Sequence, residues 1–145
     1  MTIYSKPSKI AVRILSHLAS KESGTVHAVR IVAKETGVSE PTVAKTLQTL
    51  AKVGLLKSRK GPGGGFILAA LPGDVSLARI VSAFEGDNFF PDCIGGLEEC
   101  SDLAPCPLHD KWKSMKNSLV EFLEDTSLKE LVSVMRRREK LLKNS

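Results

Sequence analysis

The chain holds three cysteines, all within fourteen residues: Cys93, then six residues, Cys100, then five residues, Cys106. His109 follows three positions after the last, and Gly95 and Gly96 loosen the first gap. Thiolates at such intervals on a glycine-containing loop can close around one soft metal centre, and an imidazole can fill a fourth corner. Zinc sites more often use cysteine pairs two to four residues apart, so these longer gaps favour iron-sulfur over zinc. A disulfide with one spare thiol, or three ordinary thiols in a loop, are the other readings of the spacing. The odd cysteine count and the lack of a secretory-signal pattern weigh against the disulfide.

Such a loop needs a scaffold, and the totals bound it. With 145 residues, 42% hydrophobic and 26% charged, the chain fits one globular core with an appended helical arm rather than two large domains. No apolar run approaches the roughly 18 residues of a membrane-spanning helix. The expected location is the cytosol, where thiols stay reduced and available as ligands.

The net charge of +5 is unevenly spread. Residues 1–70 carry 11 Lys+Arg against 3 Asp+Glu, residues 71–110 carry 1 against 8, and residues 111–145 carry 9 against 5. A basic N-terminal half suits a partner made of phosphates, and the acidic middle coincides with the cysteines.

Ile10, Ile14, Leu15 and Leu18 predict an amphipathic helix over about 7–20, ended by Glu22-Ser23-Gly24. Val29, Val32 and Ala33 predict a second over about 27–35, with Gly37 as its stop. Ser39 is the expected N-cap of a third helix, with Glu40 and Pro41 in its first turn. There Val43, Leu47 and Leu50 must face a core, while Thr42, Lys45, Thr46 and Thr49 form a short-chained, hydroxyl-rich, cationic face suited to a major groove. This is a helix-turn-helix pattern. Next, Leu55 to Arg59 and Phe66 to Ala69 read as strands around the tight loop Lys60-Gly61-Pro62-Gly63-Gly64-Gly65. A hairpin after a recognition helix is a wing. Arg59 and Lys60 can neutralise phosphates there, and Gly63, Gly64 and Gly65 let backbone approach them. A nucleotide phosphate loop is disfavoured because no Gly-Lys-Ser/Thr follows the glycines and no helix begins there.

Leu77, Ile80, Val81 and Phe84 predict a short helix over 76–84. From near Pro107 a longer one carries Leu108, Trp112, Met115, Leu119 and Phe122 at alternating four- and three-residue spacing, a heptad-like seam. At ~1.5 Å per residue it is about 25 Å long, enough to pair with a second copy and form a homodimer. Paired recognition helices would then address the two halves of palindromic double-stranded DNA. Arg136-Arg137-Arg138 reads as a solvated, frayed end rather than a second DNA site. An enzyme is not expected: there is no Ser/His/Asp arrangement, and His17 and His27 read as surface or packing residues. An iron-sulfur or thiol enzyme and a protein-interaction module are the rivals of another class.

The fold expected is mainly α with a small β-hairpin wing. It comprises a winged helix-turn-helix over 1–72, a connecting helix over 73–90, a cysteine loop over 91–109, and a dimerisation helix with a C-terminal helix over 107–145.

Gly61-Pro62-Gly63-Gly64-Gly65-Phe66 after a basic strand, Val75 to Val81, the three cysteines, and Cys106-Pro107-Leu108-His109 leading to Trp112 resemble one bacterial group. It is the IscR/NsrR-like winged-helix transcription regulators, the Rrf-two family, and the resemblance covers most of the chain. It implies that Cys93, Cys100 and Cys106 hold an iron-sulfur cluster. In the biogenesis regulators of that family a histidine just after the third cysteine is the fourth ligand, and His109 matches it. The family's nitric-oxide sensors use an acidic residue from the partner's first helix, whereas residues 1–21 here contain no Asp or Glu. The implied cluster is [2Fe-2S], with [4Fe-4S] as the alternative, and a zinc or thiol-redox site is the alternative to both. The six-residue first gap exceeds the five of the biogenesis regulators, and Ala44 stands where they carry a DNA-discriminating glutamate.

Overall fold

The computed structural model describes residues 3–87, 90, 94–95 and 102–145. Helix α1 (Lys6–Ala19) begins at Ser5, whose hydroxyl accepts the Ser8 N–H, and buries Ala11, Ile14, Leu15 and Leu18 along one stripe. Helix α2 (Val29–Thr36) ends on Gly37 at φ 72°, a left-handed conformation that glycine adopts without a Cβ clash. Helix α3 (Glu40–Lys52) turns Val43, Leu47 and Leu50 inward. Strands β1 (Leu56–Arg59) and β2 (Gly65–Leu68) pair antiparallel, with Leu56 opposite Leu68 and Arg59 opposite Gly65.

The second helix starts two residues later than the apolar spacing suggested. His27 is held in extended backbone against β2, where its N–H donates to the Phe66 carbonyl at 2.8 Å and its carbonyl accepts from Phe66 at 2.9 Å. His27 therefore serves as a short third strand beside the hairpin. Its ring is buried, and desolvation, then His17, lower its pKa below the ordinary 6.5.

After a 3-10 turn at Pro72–Asp74, helix α4 (Leu77–Glu85) is capped by Ser76. Helix α5 (His109–Asp125) lies against α4 through Leu123, which shares a small second core with Leu77 and Val81. The C-terminal helix α6 (Leu128–Lys143) is continuous rather than frayed. Ser127 and Glu130 cap its start reciprocally, and Leu128 and Val132 are buried. Two backbone hydrogen bonds, Leu77 to Thr126 and Leu128 to Val75, clip its origin to that of α4. Arg136 donates to the Ser20 carbonyl, so part of the arginine run is spent on attaching α6 to the end of α1. The main core joins α1, α2 and α3 with Leu55, Leu56, Val75, Ile80 and Leu128. Burying these side chains, at about 1.5–3 kcal/mol each, fixes the recognition helix against α1.

Candidate nucleic-acid interface and cysteine loop

After the turn at Gly37, α3 keeps one face open. Lys45, Gln48 and Lys52 are exposed there, flanked by half-buried Thr42 and Thr49. The Ser39 hydroxyl donates to the Thr42 hydroxyl at 2.8 Å instead of accepting a backbone N–H, so it stands at the cap position without capping the helix through its side chain. Thr46 departs from the expected face. It is only 5% exposed, and its hydroxyl donates to the Thr42 carbonyl at 2.7 Å, because its position on the helix falls beside Val43 and Leu50. Gln48 joins this face: it stands three residues after Lys45, on the side opposite Val43 and Leu47. Its amide can donate and accept together, the combination that reads adenine in a major groove.

The wing carries exposed Arg59 and Lys60 next to its tip, where Gly61 and Gly63 take φ of 91° and 73°. Among the described residues no carboxylate lies within salt-bridge distance of Lys45, Lys52, Lys57, Arg59 or Lys60. Cations left unpaired on adjoining α3 and wing surfaces favour an anionic partner. The three wing glycines divide by what surrounds them. A Cβ on Gly63 would meet open space, whereas on Gly64 it would lie 2.3 Å from the Arg59 carbonyl oxygen and on Gly65 2.2 Å from that of His27. Gly64 is bare because the hairpin packs on its own backbone there, and Gly65 because β2 packs on the backbone of His27 and Ala28.

Of the cysteine cluster, Cys93 and Cys100 lie outside the described residues. Cys106 is half-buried with a free thiol, and its carbonyl accepts the His109 N–H at 3.0 Å as α5 begins. His109 is 7% exposed, and its Nε2 is 2.8 Å from the Asp102 carboxylate, which Lys113 also reaches at 3.3 Å. The hydrogen bond from His109, then that from Lys113, hold the Asp102 carboxyl below the usual range. Among the described residues no three His, Cys, Asp or Glu side chains converge as a metal site. The two described donors, a thiol and an imidazole on one turn, have the softness that suits iron-sulfur or zinc rather than a hard cation.

The heptad seam faces outward. Met115 is 61% and Phe122 51% exposed, Leu108 is exposed, and Trp112 and Leu119 are half-buried, while α5 uses Leu123 to hold α4. Among the described residues no helix is long and apolar enough to cross a membrane.

The family model for an iron-dependent transcriptional regulator, Rrf2, matches residues 4–134. The chain belongs to the Rrf2 family. A protein of Aquifex aeolicus assigned as an HTH-type transcriptional regulator is 31% identical over 134 residues, covering 91% of this chain and 92% of that protein. Among solved structures, CymR, the global cysteine regulator of B. subtilis, superposes with TM-score 0.75 at 25% identity, over 92% of this chain and 98% of its own. The T. potens IscR structure superposes with TM-score 0.71 at 25% identity, over 92% of this chain and 88% of its own. This Rrf2 chain is thus a winged-helix transcription regulator of a DNA-binding family, not an enzyme.

Proposed function

We propose that this Rrf2 protein is a homodimeric, cytoplasmic regulator whose binding to palindromic DNA is controlled by an iron-sulfur cluster held by Cys93, Cys100, Cys106 and His109. The observation that carries the reading is the position of Cys106 and buried His109 on the turn that opens α5, the helix whose apolar seam faces outward. A ligand set at that turn joins the acidic loop to the helix by which two copies would pair. When bound, a cluster supplies a change in charge and bonding that follows iron-sulfur status, redox state or nitric oxide.

The chain's own groups do the rest. Asp102 orients the His109 ring through Nε2, as carboxylates commonly do behind a ligating histidine. Ser39, Thr42, Lys45 and Thr49, with Gln48, meet bases and phosphates in the major groove, while Thr46 supports the helix from within. Arg59, Lys60 and Gly63 meet the backbone or minor groove, and Gly64 and Gly65 shape the wing that presents them. Leu108, Trp112, Met115, Leu119 and Phe122 pair with the partner's α5.

Oxygen-free purification with the visible spectrum and iron and sulfide counts tests the cluster. DNA binding with and without it tests the control, and DNA affinity independent of cluster content would overturn the reading. The second reading, a thiol switch or zinc site without a cluster, draws on the likeness to CymR and the free Cys106 thiol. It predicts protein with no acid-labile sulfide.

A further inference from the structure

Helix α1 begins with an unusual arrangement. In a capping box, the residue three places after the cap is Glu or Gln, and its side chain returns to the N–H of the cap residue. In α6 that is what Glu130 does for Ser127. In α1 the corresponding residue is Ser8, and the first turn has no acidic residue. Glu85, the last residue of α4, fills the gap from eighty positions away. Its Oε1 accepts the Ser5 N–H at 2.8 Å and the Ser8 hydroxyl at 2.7 Å. The carboxylate also stands at the positive end of the α1 dipole. Hydrogen bonds from Ser5 and Ser8 hold the Glu85 carboxyl below the usual range, so it is ionised at neutral pH.

The place of Glu85 in the chain gives this contact its meaning. The residue after it, Gly86, ends α4, and the segment leading to the cysteines starts there. Tyr4, next to the cap of α1, and Phe90, from that segment, both pack on the small core of Leu77, Val81 and Leu123. The head and the origin of the cysteine loop thus meet twice, once through a charged cap and once through apolar contact. Helix α1 in turn shares the main core with Val43, Leu47 and Leu50 of α3. A shift of the α4 end has a direct mechanical route to the recognition helix.

We propose that Glu85 is a positioning residue that transmits the state of the cysteine loop to the DNA-reading head by capping α1 in trans. The proposal rests on the cluster-controlled reading above. Its test uses the full-length protein and the Glu85→Ala, Glu85→Gln and Ser8→Ala variants. DNA affinity is measured with and without the cluster, alongside iron content and amide exchange at residues 5–9.

The expected result is a wild-type affinity ratio that collapses toward one in Glu85→Ala, a loss of about fivefold or more, the low end of usual allosteric couplings. Iron content stays at the wild-type level and exchange at residues 5–9 quickens. Glu85→Gln, which keeps an acceptor oxygen, and Ser8→Ala, which removes one of the two bonds, give intermediate ratios; Ser8→Ala decides the matter if Glu85→Ala folds poorly. A wild-type ratio that differs from one and survives unchanged in these variants overturns the role of Glu85 alone. A wild-type ratio of one overturns the cluster-controlled reading and the coupling with it.

Discussion

Replacing Gly65 with alanine probes how the wing is held to the head. The new Cβ would lie 2.2 Å from the His27 oxygen, 2.6 Å from its carbonyl carbon and 2.9 Å from the Ala28 nitrogen, all backbone atoms that cannot swing aside. The cheapest relief is for β2 to withdraw from His27, which breaks the two hydrogen bonds of 2.8 and 2.9 Å that tie them. Each such bond contributes about 0.5–1.5 kcal/mol net, more if the freed groups stay dry. Residual crowding adds roughly 1–3 kcal/mol. A loss of about 2–6 kcal/mol is expected, a large part of the ~5–15 kcal/mol that a domain has available.

Urea unfolding followed by circular dichroism, at fixed protein concentration, measures the loss, and fluorescence anisotropy with operator DNA measures its consequence. The control is Gly63→Ala, where nothing lies within 4 Å of the new Cβ and only the positive φ of 73° resists. That should cost about 1–2 kcal/mol. If Gly65→Ala costs no more than Gly63→Ala and leaves DNA affinity untouched, the wing is not anchored through His27.

The remaining predictions concern charge, ligands and pH. Lys45→Ala should weaken binding to all DNA sequences alike and lower the salt slope by about one, whereas Gln48→Ala should relax discrimination at one base pair by roughly 1–3 kcal/mol. Competition binding at several salt concentrations separates the two. Cys106→Ser should abolish iron and sulfide retention, and Asp102→Asn should weaken it by about tenfold or more through the freed His109 ring; undiminished iron in Cys106→Ser would refute the ligand assignment. The folded His27 titrates below 6.5, so the unfolded chain binds more protons as pH falls through 6.5. Stability should therefore decline from pH 7.5 to 5.5, and His27→Gln should flatten that decline; an equal slope in the variant would assign it to another group.

The head was legible in the sequence because its signals are local. Core spacing in α1 and α3, the Gly37 stop, and strands flanking a glycine-rich tip each depend on residues within a few positions of one another. The errors arose where a distant partner intervened. His27 looks like the first residue of a helix until β2 claims its backbone, and Thr46 looks like a reader of DNA until the core shared with α1 fixes the rotation of α3. The wing glycines show the same limit: four residues of similar appearance divide into left-handed tip positions and points of backbone contact only once the hairpin has closed on His27.

The cysteine spacing suggests the chemistry proposed for the loop but says nothing of its connection to the head. Ser5 predicts a capped start to α1 that lacks the returning carboxylate of a capping box, since none follows in its first turn. Glu85 predicts only a charged end to α4, placed where the dipole of its own helix disfavours it. Each defect is resolved by the other, and a chain with two local faults that cancel is constrained to keep α1 and α4 in register. The price of that economy is dependence: whatever moves the last turn of α4 takes its carboxylate from the start of α1 and leaves the Ser5 hydroxyl to cap the helix alone. A carboxylate from within α1 would have capped the helix equally well while severing it from the loop, so the borrowed cap is where stability and control coincide.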